Sequence, residues 1–329
     1  MTEFSLFTTA PGCDTGTGFH VCELLGSDTN FAAVHRTAPS VRAVGSANLG
    51  SDPKKLVWVK QKEKTMKIRT IAGAILALTL GVSAFANTIE LSKTTIKAAD
   101  GSQVPVEVAK PAGKGPFPPV LFIHAKRGYE GDERAHVREL AAQGFLVVAP
   151  DWQSGRFIER WPSAHNPETE LDVEAGLDYL KSLPNACKQP VGIVGLSRGP
   201  YYAIRLAAKR GPDIAAIVSY YGHMQNPNAP EPEQLFSIAP EIMKITTPVL
   251  FLIGEQDFEL RRINGGRAFY ALWERGVPVE YQVYPMARRA FDFRADQTPE
   301  EKIAARHARE RAKHWLIRWM KLTPEMRCQ

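Results

Sequence analysis

One short segment carries residue types suited to chemistry at an activated serine. Gly195-Leu196-Ser197-Arg198-Gly199 has the spacing G-x-S-x-G and lies between the apolar run VGIVGL and a helical pattern. In a sharp strand-to-helix turn, the glycines admit close neighbours and the serine exposes its hydroxyl. The following helix points backbone N–H groups and its positive dipole end toward that oxygen. The pattern predicts Ser197 as a nucleophile, with a chance occurrence in a loop as the alternative.

The elements that must position this serine alternate between strands and helices. TIELSKTTIK and QVPVEVAKPA predict a hairpin that turns at Gly101. The apolar runs PPVLFIHA, FLVVAPDW, VGIVGLS, IAAIVSYYG and PVLFLIGEQD then predict buried strands, and VEYQVYP predicts the last one. Thr298-Pro299-Glu300-Glu301 predicts the capped start of a long final helix. We expect an α/β fold, a doubly wound, mostly parallel sheet of about eight strands with helices on both faces. Its chemistry belongs at the carboxyl ends of the strands.

A different feature precedes this pattern. MKIRTIAGAILALTLGVSAFA has a basic start at Lys67 and Arg69, an apolar stretch and small residues at A-x-A positions, which predicts a signal peptide over residues 66–86. The stretch is shorter than the roughly 20 apolar residues of a membrane span. Residues 1–65 are then an upstream extension, disordered or a misassigned start, and residues 87–329 form one domain. We expect a periplasmic or secreted protein with no stable membrane anchor after cleavage.

Charge and cysteine usage narrow the functional classes. Residues 1–86 contain nine Lys/Arg and six Asp/Glu, which leaves 32 and 29 in the rest of the chain without a basic stripe. Nucleic acid is therefore not an expected partner. No His/Cys/carboxylate spacing indicates a metal and no Gly-rich loop indicates a nucleotide, so no cofactor is expected. Cys187 and Cys328 are predicted at the opposite end of the sheet from the chemistry, either paired or free.

From about Ile89 to Met320 the chain resembles the α/β-hydrolase superfamily, and within it the dienelactone hydrolase family. The phrases that carry the resemblance are VLFIHA, VVAPDW, GLSRG, LIGEQD and VYPMARRAF. It implies hydrolysis of esters, lactones or related acyl compounds, with a serine or cysteine nucleophile, an acid after the penultimate strand and a histidine after the last. Ser197 matches the nucleophile, where dienelactone hydrolases proper carry cysteine. Asp257 matches the acid, with a solvated loop carboxylate as the alternative.

The third catalytic position departs from the family pattern. Tyr284-Pro285 and Phe291 place Arg289 where similar proteins carry the histidine. A guanidinium has no lone pair with which to take a proton from a serine. Removing one triad member typically costs about 10⁴ to 10⁶ in turnover. The sequence therefore predicts either a base at another position or a protein that has lost catalysis.

Six histidines within residues 87–329 are candidates for that base. His223 leads, because it ends the strand expected beside the nucleophile strand. His124 ends the strand before the predicted oxyanion loop, and its alternative role is to hold that loop's backbone. His165 lies in a segment that could form a lid. The other three fall within predicted helices and are expected on the surface: His136, His307 and His314.

Arginines suggest a second role for the same edge of the sheet. Four are predicted on loops at the strand ends, where several could enter one pocket: Arg127, Arg198, Arg288 and Arg289. A guanidinium fork binds a carboxylate through two hydrogen bonds, so Arg289 is a candidate to bind an anionic substrate. The alternative, equally favoured, is that Arg288 and Arg289 form structural salt bridges with nearby carboxylates: Asp292, Glu255 or Glu259.

The predicted oxyanion hole uses two backbone N–H groups. One belongs to Arg198, directly after the nucleophile, and the other belongs to Ala125, in the loop after VLFIHA. The sequence thus predicts an exported serine hydrolase that acts on a small ester, lactone or thioester through an acyl-serine. The alternative is a non-catalytic pseudohydrolase that binds a small anionic ligand.

Overall fold

The computed structural model describes residues 88–230, 233–323 and 325–328, and these form an α/β structure. The predicted signal peptide and upstream extension lie outside the described residues. Eight strands are present: β1 (Ile89–Lys97), β2 (Gln103–Pro111), β3 (Pro119–Ile123), β4 (Leu146–Pro150), β5 (Val191–Leu196), β6 (Ile214–Tyr220), β7 (Val249–Gln256) and β8 (Val279–Arg288). Six helices accompany them: α1 (Gly131–Ala142), α2 (Thr169–Ser182), α3 (Gly199–Arg210), α4 (Glu233–Phe236), α5 (Glu259–Glu274) and α6 (Pro299–Trp319).

The strands form a single sheet in the order β1-β2-β4-β3-β5-β6-β7-β8. The β1–β2 hairpin is antiparallel and joins β4 through an antiparallel pairing, whereas every pairing from β4 to β8 is parallel. The carboxyl ends of β5, β6, β7 and β8 therefore lie side by side at one edge. The expected fold is confirmed, and this edge carries the segments that the sequence predicts as functional.

Helices cover both faces of the sheet. Buried side chains of α2, α3 and α5, such as Leu177, Ile204 and Leu272, pack against one face. Buried side chains of α1 and α6, such as Val137 and Leu316, pack against the other. The central strands are apolar throughout because both faces are covered, which is the reason for the uninterrupted apolar runs in the sequence.

Local signals in the sequence match the element boundaries. Thr298 accepts a hydrogen bond from the backbone of Glu301 and forms the predicted capping box at the start of α6. Gly101 has φ +84° in the hairpin turn. The segment after β6 contains the short helix α4 and a separate 3-10 turn at Pro240–Met243. Among the described residues, no helix is both long and apolar enough to cross a bilayer.

Cys187 and Cys328 form a disulfide with a Cα–Cα distance of 6.2 Å. Cys187 precedes β5 and Cys328 follows α6, so the bond ties the end of the described chain to the edge of the sheet opposite Ser197. The sequence left pairing and free thiols open, and the structure has the paired form.

Candidate active site

Ser197 occupies a strained turn between β5 and α3. Its φ is +54°, a left-handed conformation that side chains other than glycine rarely adopt. The turn is tight enough that a Cβ on Gly195 would lie 2.7 Å from the Pro200 nitrogen, and a Cβ on Gly199 would collide with the Ile123 carbonyl oxygen. The two glycines of the motif are therefore required by close packing. The backbone N–H of Ser197 donates to the Tyr220 carbonyl at 3.0 Å, which anchors the turn to β6.

Arg289 bridges the serine and the acid. One of its terminal nitrogens, Nη2, donates to Ser197 Oγ at 2.7 Å. The other, Nη1, lies 3.0 Å from both carboxylate oxygens of Asp257, whose side chain is fully buried. The guanidinium also lies over the rings of Tyr221 and Phe258, at 5.3 and 5.6 Å from their centroids. Arg289 thus lies between the acid and the serine and donates hydrogen bonds to both.

His223 approaches Ser197 from β6. Its Nε2 lies 3.5 Å from Ser197 Oγ, at the outer limit of a hydrogen bond, and its backbone N–H donates to the Ser197 carbonyl at 2.8 Å. Burial lowers the pKa of His223 well below 6.5, and the neighbouring cations Arg261, Arg289 and Arg198 lower it further. The imidazole is therefore neutral near pH 7 and able to accept a proton. Its Nδ1 is buried without a hydrogen-bond partner among the described residues, so no carboxylate orients the ring.

The two less favoured candidate bases lie elsewhere. His124 Nδ1 is 2.8 Å from the Ala125 carbonyl oxygen, and its ring stacks on Trp152 at 4.8 Å. This contact matches the alternative role, in which His124 holds the backbone of the loop after β3. His165 Nε2 lies 2.7 Å from Glu170. In the described part of the chain, neither histidine forms a hydrogen bond with Ser197.

The helix histidines differ from one another. His307 and His314 are exposed on α6, as predicted. The prediction for His136 is wrong, because this residue of α1 is buried and its Nε2 lies 2.5 Å from Asp292. Asp292 follows Arg289 by three residues, so the pair ties the loop after β8 to α1. The sequence pattern of α1 could not show this contact, which joins residues 156 positions apart.

Only part of the predicted arginine group converges. Arg198 and Arg289 lie beside Ser197, whereas Arg127 pairs with Glu133 and Asp132. Arg288 turns away and pairs with carboxylates on and before α6, Glu301 at 2.7 Å and Asp296 at 2.9 Å. The expected pairing of Arg288 or Arg289 with Asp292, Glu255 or Glu259 is therefore wrong in its partners, although both arginines do form salt bridges.

Two cations that the sequence did not single out belong to the site. Lys126 follows Ala125 in the loop after β3, and Arg261 lies in the first turn of α5. Burial lowers the pKa of Lys126, and Arg198, Arg261 and Arg289 lower it further. Lys126 could have been predicted to lie near the serine, because it follows Ala125, a predicted oxyanion residue. Arg261 offered none, because its approach depends on how α5 packs.

The predicted oxyanion donors lie on the two segments that flank the serine. Arg198 is the residue that precedes α3, and Ala125 is buried in the loop after β3. A Cβ added at Gly199 would meet β3 at Ile123, which shows how closely these two segments approach. No group of three or more metal-ligating side chains occurs in the part of the chain that the structure describes.

Comparison with known proteins places this arrangement in a family. The model of the dienelactone hydrolase family matches residues 104–320, which is more than half of the chain, and the chain therefore belongs to that family. The hydrolase class predicted from the sequence is confirmed at this level. The matched segment includes β5, the serine turn and all strands through β8.

Individual relatives are distant. A protein of Aquifex aeolicus named "Putative carboxymethylenebutenolidase" is 26% identical over 206 residues, which cover 58% of this chain and 83% of the relative. A protein of the same name from Azospirillum brasilense is 29% identical over 216 residues, covering 61% and 87%. The crystal structure of a "Putative Dienelactone Hydrolase" from Klebsiella pneumoniae is 25% identical with a TM-score of 0.58, covering 71% of this chain and 100% of that chain.

Proposed function

We propose that this protein is a serine hydrolase of the dienelactone hydrolase type in which His223 has taken over the role of the base. The observation that carries the proposal is the position of a neutral, buried imidazole nitrogen 3.5 Å from the oxygen of a strained, motif-bound serine. Such contacts commonly shorten when a substrate is bound, so this distance is compatible with proton transfer. The substrate class is a small ester, lactone or thioester.

The reaction proceeds through an acyl-serine. Ser197 Oγ attacks the acyl carbon while His223 Nε2 takes the hydroxyl proton, and the backbone N–H groups of Arg198 and Ala125 hold the resulting oxyanion. The bond to the leaving group breaks, and the leaving group takes the proton from His223. Water then attacks the acyl-serine as His223 takes one of its protons. The acid departs, and Ser197 Oγ recovers the proton.

Arg289 positions and activates the serine in this scheme. Its guanidinium donates to Ser197 Oγ at 2.7 Å and is held in place by Asp257. A cation at this distance stabilises negative charge on the serine oxygen, which favours removal of the proton. Asp257 therefore orients an arginine in this protein, where the resemblance to the dienelactone hydrolase family implies a histidine.

Turnover is expected to be slow. Among the described residues His223 has no carboxylate at Nδ1, and removal of the orienting acid from a serine triad costs about 10⁴ in turnover. The surrounding cations also oppose the imidazolium that forms during the reaction, as the lowered pKa of His223 shows. We expect an enzyme that acylates readily only with reactive or well-bound substrates.

A second candidate function is supported by Arg289 itself. Its salt bridge to Asp257 and its hydrogen bond to Ser197 would also suit a pseudohydrolase that binds a small anionic ligand without turning it over. In that case His223 is a buried neighbour of the serine and not a base.

We further propose export to the periplasm or the exterior. Support comes from the basic start, apolar stretch and small residues over residues 66–86 and from the Cys187–Cys328 disulfide, since such bonds persist in oxidising compartments. N-terminal sequencing of protein from the periplasmic fraction of an expressing bacterium is expected to begin at Asn87. Retention of an uncleaved chain in the cytoplasm would contradict export.

Labelling with a fluorophosphonate probe tests the hydrolase proposal. The purified protein is expected to be labelled, and Ser197→Ala is expected to abolish the reaction. His223→Gln keeps a polar side chain of similar size, and it is expected to slow labelling by about 10² or more through loss of the base. Circular dichroism confirms that each variant is folded.

The same experiment separates the two candidate functions. Labelling that requires Ser197 and His223 supports the relocated base. A wild-type protein that resists the probe, together with an Arg289→His variant that reacts, supports the pseudohydrolase. Labelling that is insensitive to His223→Gln overturns the assignment of the base while leaving the serine as nucleophile.

A further inference from the structure

Three cations beside the serine have no carboxylate partner among the described residues. Lys126, Arg198 and Arg261 form no salt bridge there, whereas other arginines of the same fold, such as Arg127 and Arg156, bind two carboxylates each. The three side chains come from separate elements, namely the loop after β3, the residue before α3 and the first turn of α5. The three cations therefore share a region of the described chain in which no carboxylate pairs with them.

Donor atoms of Arg198 and Arg261 are buried, whereas Lys126 is half-buried. Arg198 is 2% exposed, its Nε has no hydrogen-bond partner, and its Nη1 reaches only the Ala164 carbonyl, at 3.5 Å. Arg261 Nη1 is also buried without a partner in the described chain. Burying charged donors without acceptors costs free energy, and a ligand that supplies the missing acceptors would offset that cost.

These side chains share one electrostatic space. Burial and then the charges of Arg289 and Arg198 lower the pKa of Arg261 to about 10, with Asp257 acting in the opposite direction. Burial lowers the pKa of Lys126, and the charges of Arg198, Arg261 and Arg289 lower it further. Asp257 already pairs with Arg289, so the other three positive charges near His223 have no carboxylate partner among the described residues.

We propose that a dianionic oxyanion group, phosphate-like in charge and shape, binds against Lys126, Arg198 and Arg261. Three excess cations suit a doubly charged group better than a single carboxylate. Donors arriving from three elements suit the several oxygens of a tetrahedral ion, to which arginine offers its fork and lysine a point charge. The bound group is either part of the acyl substrate or a free ion. The first case, in which the subsite selects substrates with an anionic group, rests on the hydrolase function proposed above.

Occupation of this subsite makes His223 easier to protonate. His223 is faced by Lys126 from the loop after β3, Arg198 from the serine turn, Arg261 from α5 and Arg289 from the loop after β8, while Asp257 reaches it through Arg289. A bound dianion offsets these cations and so stabilises the imidazolium that hydrolysis requires. The anionic group of a substrate then makes its own hydrolysis faster.

Calorimetric titration with inorganic phosphate tests the subsite without catalysis. The full chain carrying Ser197→Ala is titrated at low ionic strength, with acetate as the singly charged comparison. Phosphate is expected to bind at one site and more tightly than acetate.

Adding Arg261→Gln is expected to weaken phosphate binding by roughly tenfold or more, the size of one charge-assisted hydrogen bond. Arg262→Gln is the matched control, because Arg262 is the exposed neighbour on α5. Absence of saturable binding, or equal weakening by both variants, overturns the proposal.

Hydrolysis of two matched p-nitrophenyl esters by the wild-type protein tests whether the bound group is part of the substrate or a free ion. It also distinguishes failure of the subsite from failure of the hydrolase function. One ester carries a terminal phosphonate and the other an uncharged group of the same length. Preference for the phosphonate ester that is lost in Arg261→Gln supports a group on the substrate, and acceleration of the neutral ester by added phosphate supports a free ion. Phosphate binding without hydrolysis of either ester upholds the subsite and overturns the hydrolase. Hydrolysis of both esters at equal rates without phosphate binding overturns the subsite alone.

Discussion

Arg288 and Arg289 are neighbours in sequence at the end of β8, yet they serve opposite regions of the molecule. Arg288 belongs to a paired cluster, in which it contacts Glu301 and Asp296 at the start of α6. Arg289 belongs to the serine site, in which it contacts Ser197 and Asp257. Arg288 is the last residue of β8 and Arg289 begins the turn that follows, so the chain changes direction between them and the two side chains reach different surroundings.

The difference lies in how charge is satisfied. In the paired cluster, the hydrogen bonds from Arg288 lower the pKa of Glu301 to about 2, and the capping box at Thr298 adds a further contact. In the serine site, buried donors of Arg198 and Arg261 have no partner in the described chain, and the pKa of Arg261 is lowered. Paired charge here stabilises a helix start, whereas the unpaired charge of the serine site is the basis of the proposed anion subsite.

Replacing each arginine by histidine is expected to give the largest difference between the two regions, measured as the rate of Ser197 labelling. Arg289→His places an imidazole between Asp257 and Ser197, and we expect fluorophosphonate labelling to accelerate by about 10² or more, the usual contribution of a positioned base. Arg288→His alters the paired cluster, so labelling should be unchanged while the melting temperature falls. Equal labelling rates in the two variants would show that the space between Asp257 and Ser197 does not accommodate a working base.

Gly199→Ala tests whether the strained turn is required. The added Cβ collides with the Ile123 carbonyl, which cannot move without disturbing β3, and we expect a loss of about 1–3 kcal/mol in the free energy of unfolding. Labelling of Ser197 should decrease as well, because the turn that presents the serine shifts. Gly266→Ala on α5 is the control, since its Cβ would meet open space. Urea denaturation of both variants measures the difference, and comparable stability would contradict the packing argument.

Thr298→Ala weakens the paired cluster by a smaller amount. It removes the side-chain acceptor for the Glu301 backbone N–H, and loss of such a cap costs about 1 kcal/mol. Thermal unfolding followed by circular dichroism should register this loss. Labelling of Ser197 is expected to stay at the wild-type rate, and a reduced rate would show that the two regions are coupled.

The smallest expected effect is a displacement of the pH profile. Hydrolysis requires neutral His223, whose pKa is lowered well below 6.5 first by burial and then by Arg261. The acidic limb of kcat/KM should therefore lie below pH 6.5, with activity lost as the pH falls through the folded-state value. Arg261→Gln removes one lowering charge, so its limb should move to higher pH. A wild-type limb at or above 6.5 would contradict the burial and charge of this histidine.

Some parts of the site could be predicted because they depend on local pattern. The glycines around Ser197 predict a tight strand-to-helix turn. Asp257 follows an apolar strand, and this position places it at the same edge of a parallel sheet. The proximity of His223 followed from the same rule, since β6 lies beside β5. The resemblance to the dienelactone hydrolase family located Arg289 through its spacing from Tyr284.

Other parts could not be predicted because they depend on contacts between distant segments. His136 was expected on the surface, but it is buried against Asp292 from the loop after β8. Arg127 was expected among the strand-end arginines of one pocket, but Glu133 in the following helix holds it. Lys126 and Arg261 enter the serine site through loop conformation and helix packing, for which a single sequence has no periodic pattern.

The sequence by itself determined the order of strands and helices, the turn that carries Ser197 and the edge of the sheet where chemistry belongs. These follow from hydrophobic periodicity and from glycine at positions of close backbone approach, which are local properties. Only the tertiary structure decided that Arg289 joins Asp257 to Ser197 while Arg288 joins α6. It also decided that three other cations near the serine have no carboxylate partner within the described residues. Electrostatic pairing depends on distances of a few ångströms between separate elements, and such distances exist only once those elements have packed.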